Sequence, residues 1–145
     1  MAARREGGFL IAKIHQLAGR IFAQKLKAHQ IDEINPAQGR ILFVLWEQDG
    51  ISISELAWKT SLSKSTLTSM LDRLEAAGHI ERVSSPEDRR SILICRTDQD
   101  RVLQEKYNWV SQEMIELTYR GFSEAEIDHF ERDLQRIWEN LAAHG

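Results

Sequence analysis

Cysteine is almost absent from these 145 residues: Cys95 stands alone, which excludes an internal disulfide and any cysteine-rich zinc site. The histidines, His15, His29, His79, His129 and His144, show no i, i+4 spacing, so a metal centre is not expected. Long apolar runs are missing too. The longest, Ile41 to Trp46, is far too short to span a bilayer, and the segment Met1 to Gly8 lacks the apolar stretch of a signal peptide. A cytoplasmic location is therefore the expectation. There is no glycine-rich phosphate loop, no H-E-x-x-H and no nucleophile with a recognisable base beside it. Neither catalysis nor a bound cofactor is expected. Repeats and low-complexity segments are also lacking.

What is present is the composition of one globular domain, 42% hydrophobic and 28% charged. The net charge of −3 does not by itself suggest a polyanionic partner, but it is unevenly placed. Ile51–Arg96 holds seven Lys and Arg against six Asp and Glu, a net +1, whereas the rest holds twelve against sixteen, a net −4. That asymmetry is mild, so nucleic-acid binding would depend on where a few arginines sit.

The stretch Ser61 to Thr97 organises the chain. Ser63 is a good helix N-cap and Gly78 stands where a left-handed terminator belongs. Between them Leu67, Met70, Leu71 and Leu74 recur at i, i+3, i+4, i+7, so one narrow stripe is buried. The opposite face carries Ser65, Ser69, Asp72 and Ala76, flanked by Thr66 and Arg73 on one side and Thr68 on the other. Short hydroxylated side chains let such a helix lie close in a major groove and bond base edges. Lys64 suits phosphate, and Asp72 should face bases, water or a basic neighbour. Two short strands, Ile80–Ser84 and Ser91–Arg96, follow around a turn marked by Pro86. At its tip Asp88 is placed to orient one of Arg89 and Arg90, which suit phosphates or a narrow minor groove. Helix and basic hairpin together make a winged helix-turn-helix.

At these residues the chain resembles the MarR/SlyA family of winged-helix regulators. The matching motifs are Ser54-Glu55-Leu56-Ala57, then Leu71-Asp72-Arg73-Leu74-Glu75-Ala76-Ala77-Gly78, then Asp88-Arg89-Arg90 and Thr97. Similarity continues through Asn35-Pro36-Ala37-Gln38-Gly39-Arg40-Ile41-Leu42 and the helical ends. Two positions depart from the pattern: Arg96 stands where the family usually has an aliphatic residue, and Asp100 where it often has glycine.

Helical signals fill the rest. A first helix over about residues 6–30 has an apolar face wider than its own domain requires: Leu10, Ile14, Leu17 and Ile21, with Ile11, Ala18, Phe22 and Leu26 beside them. Asn35-Pro36 opens a second helix and Ser52 a third that ends near Thr60. From Thr97 a long helix runs to about Gly121. Ser123 caps another, whose stripe is Ile127, Phe130, Leu134, Ile137 and Leu141. The expected fold is mainly α with a small β-wing, a single domain over 1–145. Residues 31–97 form its DNA-binding part, and 6–30 with 98–145 its helical dimerisation part. The resemblance implies that the terminal helices interlock between two subunits.

The expected function is a homodimeric regulator that binds double-stranded DNA sequence-specifically at a pseudo-palindromic operator. The resemblance further implies a repressor released by a small aromatic or phenolic effector. Lys64, Ser65, Thr66, Thr68, Ser69, Arg73, Asp88, Arg89 and Arg90 are the expected DNA contacts. The resemblance also implies an effector pocket between reading head and dimer base. His15, Arg40, Trp46 and Trp109 are its candidates here, although all four are also ordinary packing or surface residues. Cys95 reads as a small strand hydrophobe, not a redox sensor. The rival reading is a winged-helix module that binds protein, for which large apolar residues should replace the hydroxyl face. A weaker third is a ligand-binding module that has lost DNA function.

Overall fold

A computed structural model describes residues 4–31 and 34–145. Six helices and three short strands follow one another as α1 (Gly7–Ala28), α2 (Pro36–Glu47), β1 (Ile51–Ser52), α3 (Ile53–Thr60), α4 (Lys64–Ala76), β2 (Ile80–Ser84), β3 (Ile92–Arg96), α5 (Asp98–Thr118) and α6 (Glu124–His144). The strands form one antiparallel sheet in the order β1-β3-β2. The chain divides within α5 into a larger unit ending at Val110 and a smaller one, Ser111–Gly145.

Local signals set most helix ends. At α2 the Asn35 side chain accepts from the Gln38 N–H at 2.8 Å, and the Gln38 side chain accepts from the Asn35 N–H at 2.9 Å. This reciprocal box, with Pro36 in the first turn, satisfies donors that an open helix end would leave bare. Ser52 caps α3 by accepting from Glu55 N–H at 3.2 Å.

The core of the larger unit is aliphatic. Leu67, Leu71 and Leu74 of α4 are buried against Ile41, Leu42 and Leu45 of α2, Leu56 of α3, and Ile80 and Ile94 of the sheet. The expected α4 stripe is therefore the observed one, with Met70 packed at its margin. Leu26, Leu103, Tyr107 and Val110 extend the core along α1 and α5. Gly39 makes room for this: a Cβ there would collide with the Tyr107 hydroxyl. Burial pushes that hydroxyl's pKa up to about 12.

The apolar face of α1 is largely uncovered in one chain. Phe9, Leu10, Ile11, Ile14 and Leu17 are exposed, and burial begins only near its C-terminal end at Leu26. In the smaller unit, Gly121 (φ +86°) turns the chain and Ser123 with Glu126 forms a second reciprocal capping box. The Tyr119 hydroxyl donates to Glu131 at 2.6 Å, and its ring meets Phe122 and Phe130 edge-on. Phe130, Leu134, Ile137 and Leu141 of α6 are all exposed.

Candidate nucleic-acid interface

The helix-turn-helix joint comes from the ends of α3 and α4. Thr60 closes α3 by donating its hydroxyl to the Leu56 carbonyl at 2.7 Å, and Ser61 then turns the chain through a left-handed conformation (φ +57°). Arg40 donates to the Thr60 carbonyl at 3.2 Å, satisfying an acceptor that the helix end leaves open. Ser63 then caps α4: its Oγ accepts from Thr66 N–H at 3.3 Å and lies 2.9 Å from the Thr66 hydroxyl. With the leucine stripe buried, Lys64, Ser65, Thr66, Thr68, Ser69 and Arg73 all point to solvent. No large apolar side chain shares that face.

Gly78 ends α4 with φ +87°, a conformation that a side chain at this position would strain. Its carbonyl accepts the Thr97 hydroxyl at 2.5 Å, and the Thr97 oxygen also accepts from Asp100 N–H at 3.4 Å. One threonine thus caps α5 and ties it to the end of the reading helix.

The wing is β2, β3 and their loop. Asp88 shapes its tip: its carboxylate accepts from the Arg90 backbone N–H at 3.0 Å, and its carbonyl from Ser91 N–H at 2.9 Å. The structure thus shows Asp88 holding the Arg90 main chain. Arg89 and Arg90 are exposed and form no ion pair among the described residues. Asp72 does have a basic neighbour, one that sequence reasoning did not single out. Arg82 of β2 reaches it at 2.9 Å and Glu75 at 2.5 Å. Alternation along β2 places Arg82 on the same face as Ile80, which is buried next to α4, and that was the available signal.

Of the four effector candidates, two are engaged inside the chain and two are exposed. Trp46 donates its indole N–H to Asp100 at 2.7 Å and packs edge-on against Tyr107, centroids 4.9 Å apart. Tyr107 in turn meets Phe22 at 5.4 Å, so the rings of α1, α2 and α5 pack on one another. Arg40 is committed to the α3 end, and His15 and Trp109 are exposed. The two family departures also meet here: Arg96 donates to Asp100 at 2.7 Å and to Gln104 at 2.5 Å.

A sequence profile of the MarR family matches residues 34–92, the span from α2 to the start of β3. YsmB of Bacillus subtilis (strain 168), an uncharacterized HTH-type transcriptional regulator, is 33% identical over 105 residues, covering 72% of this chain and 71% of that protein. The chain belongs to the MarR family. MarR-family architecture accounts for the winged helix-turn-helix and for its flanking helices. The HTH-type transcriptional regulator TtmR of Methylorubrum extorquens (strain PA1) is 39% identical over 88 residues; that match takes in 61% of this chain and under half, 44%, of TtmR. A crystal structure of a MarR variant from E. coli complexed with operator DNA superposes with a TM-score of 0.77 at 27% identity, covering 90% of this chain and 91% of that one. No helix among the described residues is long and apolar enough to cross a membrane.

Proposed function

We propose that the chain is a cytoplasmic, homodimeric repressor that acts by binding a pseudo-palindromic operator, not by catalysis, and that a small aromatic or phenolic effector releases it. Residues 31–97 would read DNA, and 6–30 with 98–145 would form the dimer base. One observation carries this reading: the chain exposes both a hydroxyl-rich α4 face and a wing tip whose two arginines form no ion pair among the described residues. The same observation weighs against a protein-binding module, which would place large apolar residues on that face. The effector half of the reading rests on membership of the MarR family. Cys95 lends no support to redox control: burial first, then the charges of Asp49 and Glu81, raise its thiol pKa.

A mobility-shift titration against the DNA upstream of the protein's own reading frame tests the central claim, with Arg90→Ala beside the wild type. Arg90 is assigned a phosphate or minor-groove contact. Its loss is expected to weaken specific and random duplexes alike and to lower the salt slope by about one unit. An Arg90→Ala protein that binds within about twofold of wild type would remove the wing from the mechanism. Bound DNA is then challenged with aromatic carboxylates and phenols. If none releases it at millimolar concentration, the effector half of the reading falls.

Reading and positioning separate on α4. Ser69→Ala and Arg73→Ala are expected to relax preference at individual base pairs by roughly 1–3 kcal/mol, Ser69 at the low end because it has one hydroxyl. Binding selections on degenerate half-sites measure this. Equal losses on specific and random DNA would mean that these residues only position the helix.

A further inference from the structure

Carboxylates are a liability on a helix that enters a DNA groove, because duplex DNA carries about one negative charge per 1.7 Å of its axis. Helix α4 has two, Asp72 and Glu75, both exposed, and Asp72 shares the face of Ser65 and Ser69. Lys64 and Arg73 are the only basic residues on that helix, so its own side chains sum to zero charge. The compensating charge comes from the wing. Arg82 of β2 spreads its guanidinium across both acids, one nitrogen 2.9 Å from Asp72 Oδ1 and the other 2.5 Å from Glu75 Oε1. Its side chain is 22% exposed, against 65% and 43% for the two carboxylates, so the cation is the enclosed member and the anions face outward. Pairs this exposed contribute little to folding. Their consequence therefore lies in the field that the reading face presents.

We propose that Arg82 is a positioning residue for DNA binding, offsetting part of the charge of Asp72 and Glu75 so that the reading helix can approach the phosphates. This rests on the DNA-binding reading above. Arg82 differs in role from Arg89 and Arg90, whose guanidiniums are available to DNA. Two of its N–H groups are already held by carboxylates, and it acts through them. Without Arg82, both carboxylates would face the backbone with no cation between them, a like-charge juxtaposition that opposes association and slows encounter.

Four full-length proteins test this: wild type, Arg82→Ala, Asp72→Asn with Glu75→Gln, and the triple variant. Each is titrated with the upstream duplex and a random duplex of equal length, over about 50–200 mM salt. Arg82→Ala is expected to lose about tenfold or more in affinity for both duplexes at low salt, and the triple variant to return to within about threefold of wild type. Thermal midpoints should change little across the set. A purely structural role for Arg82 gives another pattern, a loss that neutralising the two acids does not recover, and that result overturns the proposal. So does Arg82→Ala binding within about twofold of a wild type that does bind DNA. A wild type that binds neither duplex overturns the DNA-binding reading itself, and the proposal with it.

Discussion

Asp100→Ala is expected to destabilise the fold by about 3–5 kcal/mol, the usual result of removing one member of a buried ion pair. Asp100 is fully buried, and a single oxygen, Oδ2, accepts both the Arg96 guanidinium and the Trp46 indole N–H at 2.7 Å. Truncation would leave that N–H without an acceptor. It would also leave a cation with only a fifth of its side chain in water, held by Gln104 alone. The loss should sit toward the lower end of that range, because Asp100 Oδ1 is buried without a hydrogen-bond partner among the described residues and so the intact network is itself imperfect. Arg96→Leu combined with Asp100→Ala should cost less than Asp100→Ala alone, since removing both charges together abolishes the unpaired one. Urea unfolding of the two single variants and the double variant measures the coupling. Additive losses would mean that the Arg96–Asp100 contact carries no energy of its own.

This pair also shows where sequence reasoning stops. Arg96 and Asp100 were visible separately as departures from the family pattern. Their compensation for each other depends on β3 running directly into α5, so that four residues span the strand end and the first helical turn. Features written in short local patterns were legible: the Asn35, Ser63 and Ser123 caps, the leucine stripe of α4, the positive φ of Gly78 and the hairpin around Pro86. A cap or stripe is decided by neighbours within one or two turns, and those neighbours are in the sequence. Strand β1 was not legible, because two residues, Ile51 and Ser52, are a strand only through Ile94 and Leu93 of β3. Arg82 was overlooked for the same reason, since its partners lie seven and ten residues away on another element. The effector candidates are aromatic and basic residues on helices that the family resemblance brings to one junction. Composition could not reveal that Trp46 and Arg40 already have internal acceptors.

Deleting residues from Ser123 onward is expected to abolish specific DNA binding while sparing the reading head. Helix α6 carries Phe130, Leu134, Ile137 and Leu141 along one stripe, all exposed in the single chain, and α1 carries Phe9, Leu10 and Ile14 in the same condition. Apolar stripes of this length left in water are costly, at roughly 25 cal/mol per Å², and a second copy of the chain is the partner that the dimer reading supplies. Dimerisation also sets the operator. Two reading heads related by a two-fold axis engage half-sites about 10 base pairs apart, one helical turn. A single head keeps its own contacts but loses the second set, so binding should fall toward the non-specific level. The truncated protein should run as a monomer or aggregate through α1. Because truncation removes much at once, Leu134→Glu with Ile137→Glu gives a finer test. Both side chains are exposed in the monomer, so charges there should leave its unfolding midpoint nearly unchanged and act only on association. Light scattering and operator titration of this variant should show loss of dimer and loss of specific binding together. A full-length wild type that is a well-folded monomer at micromolar concentration, yet still binds a two-half-site operator tightly, would show that recognition here needs no dimer.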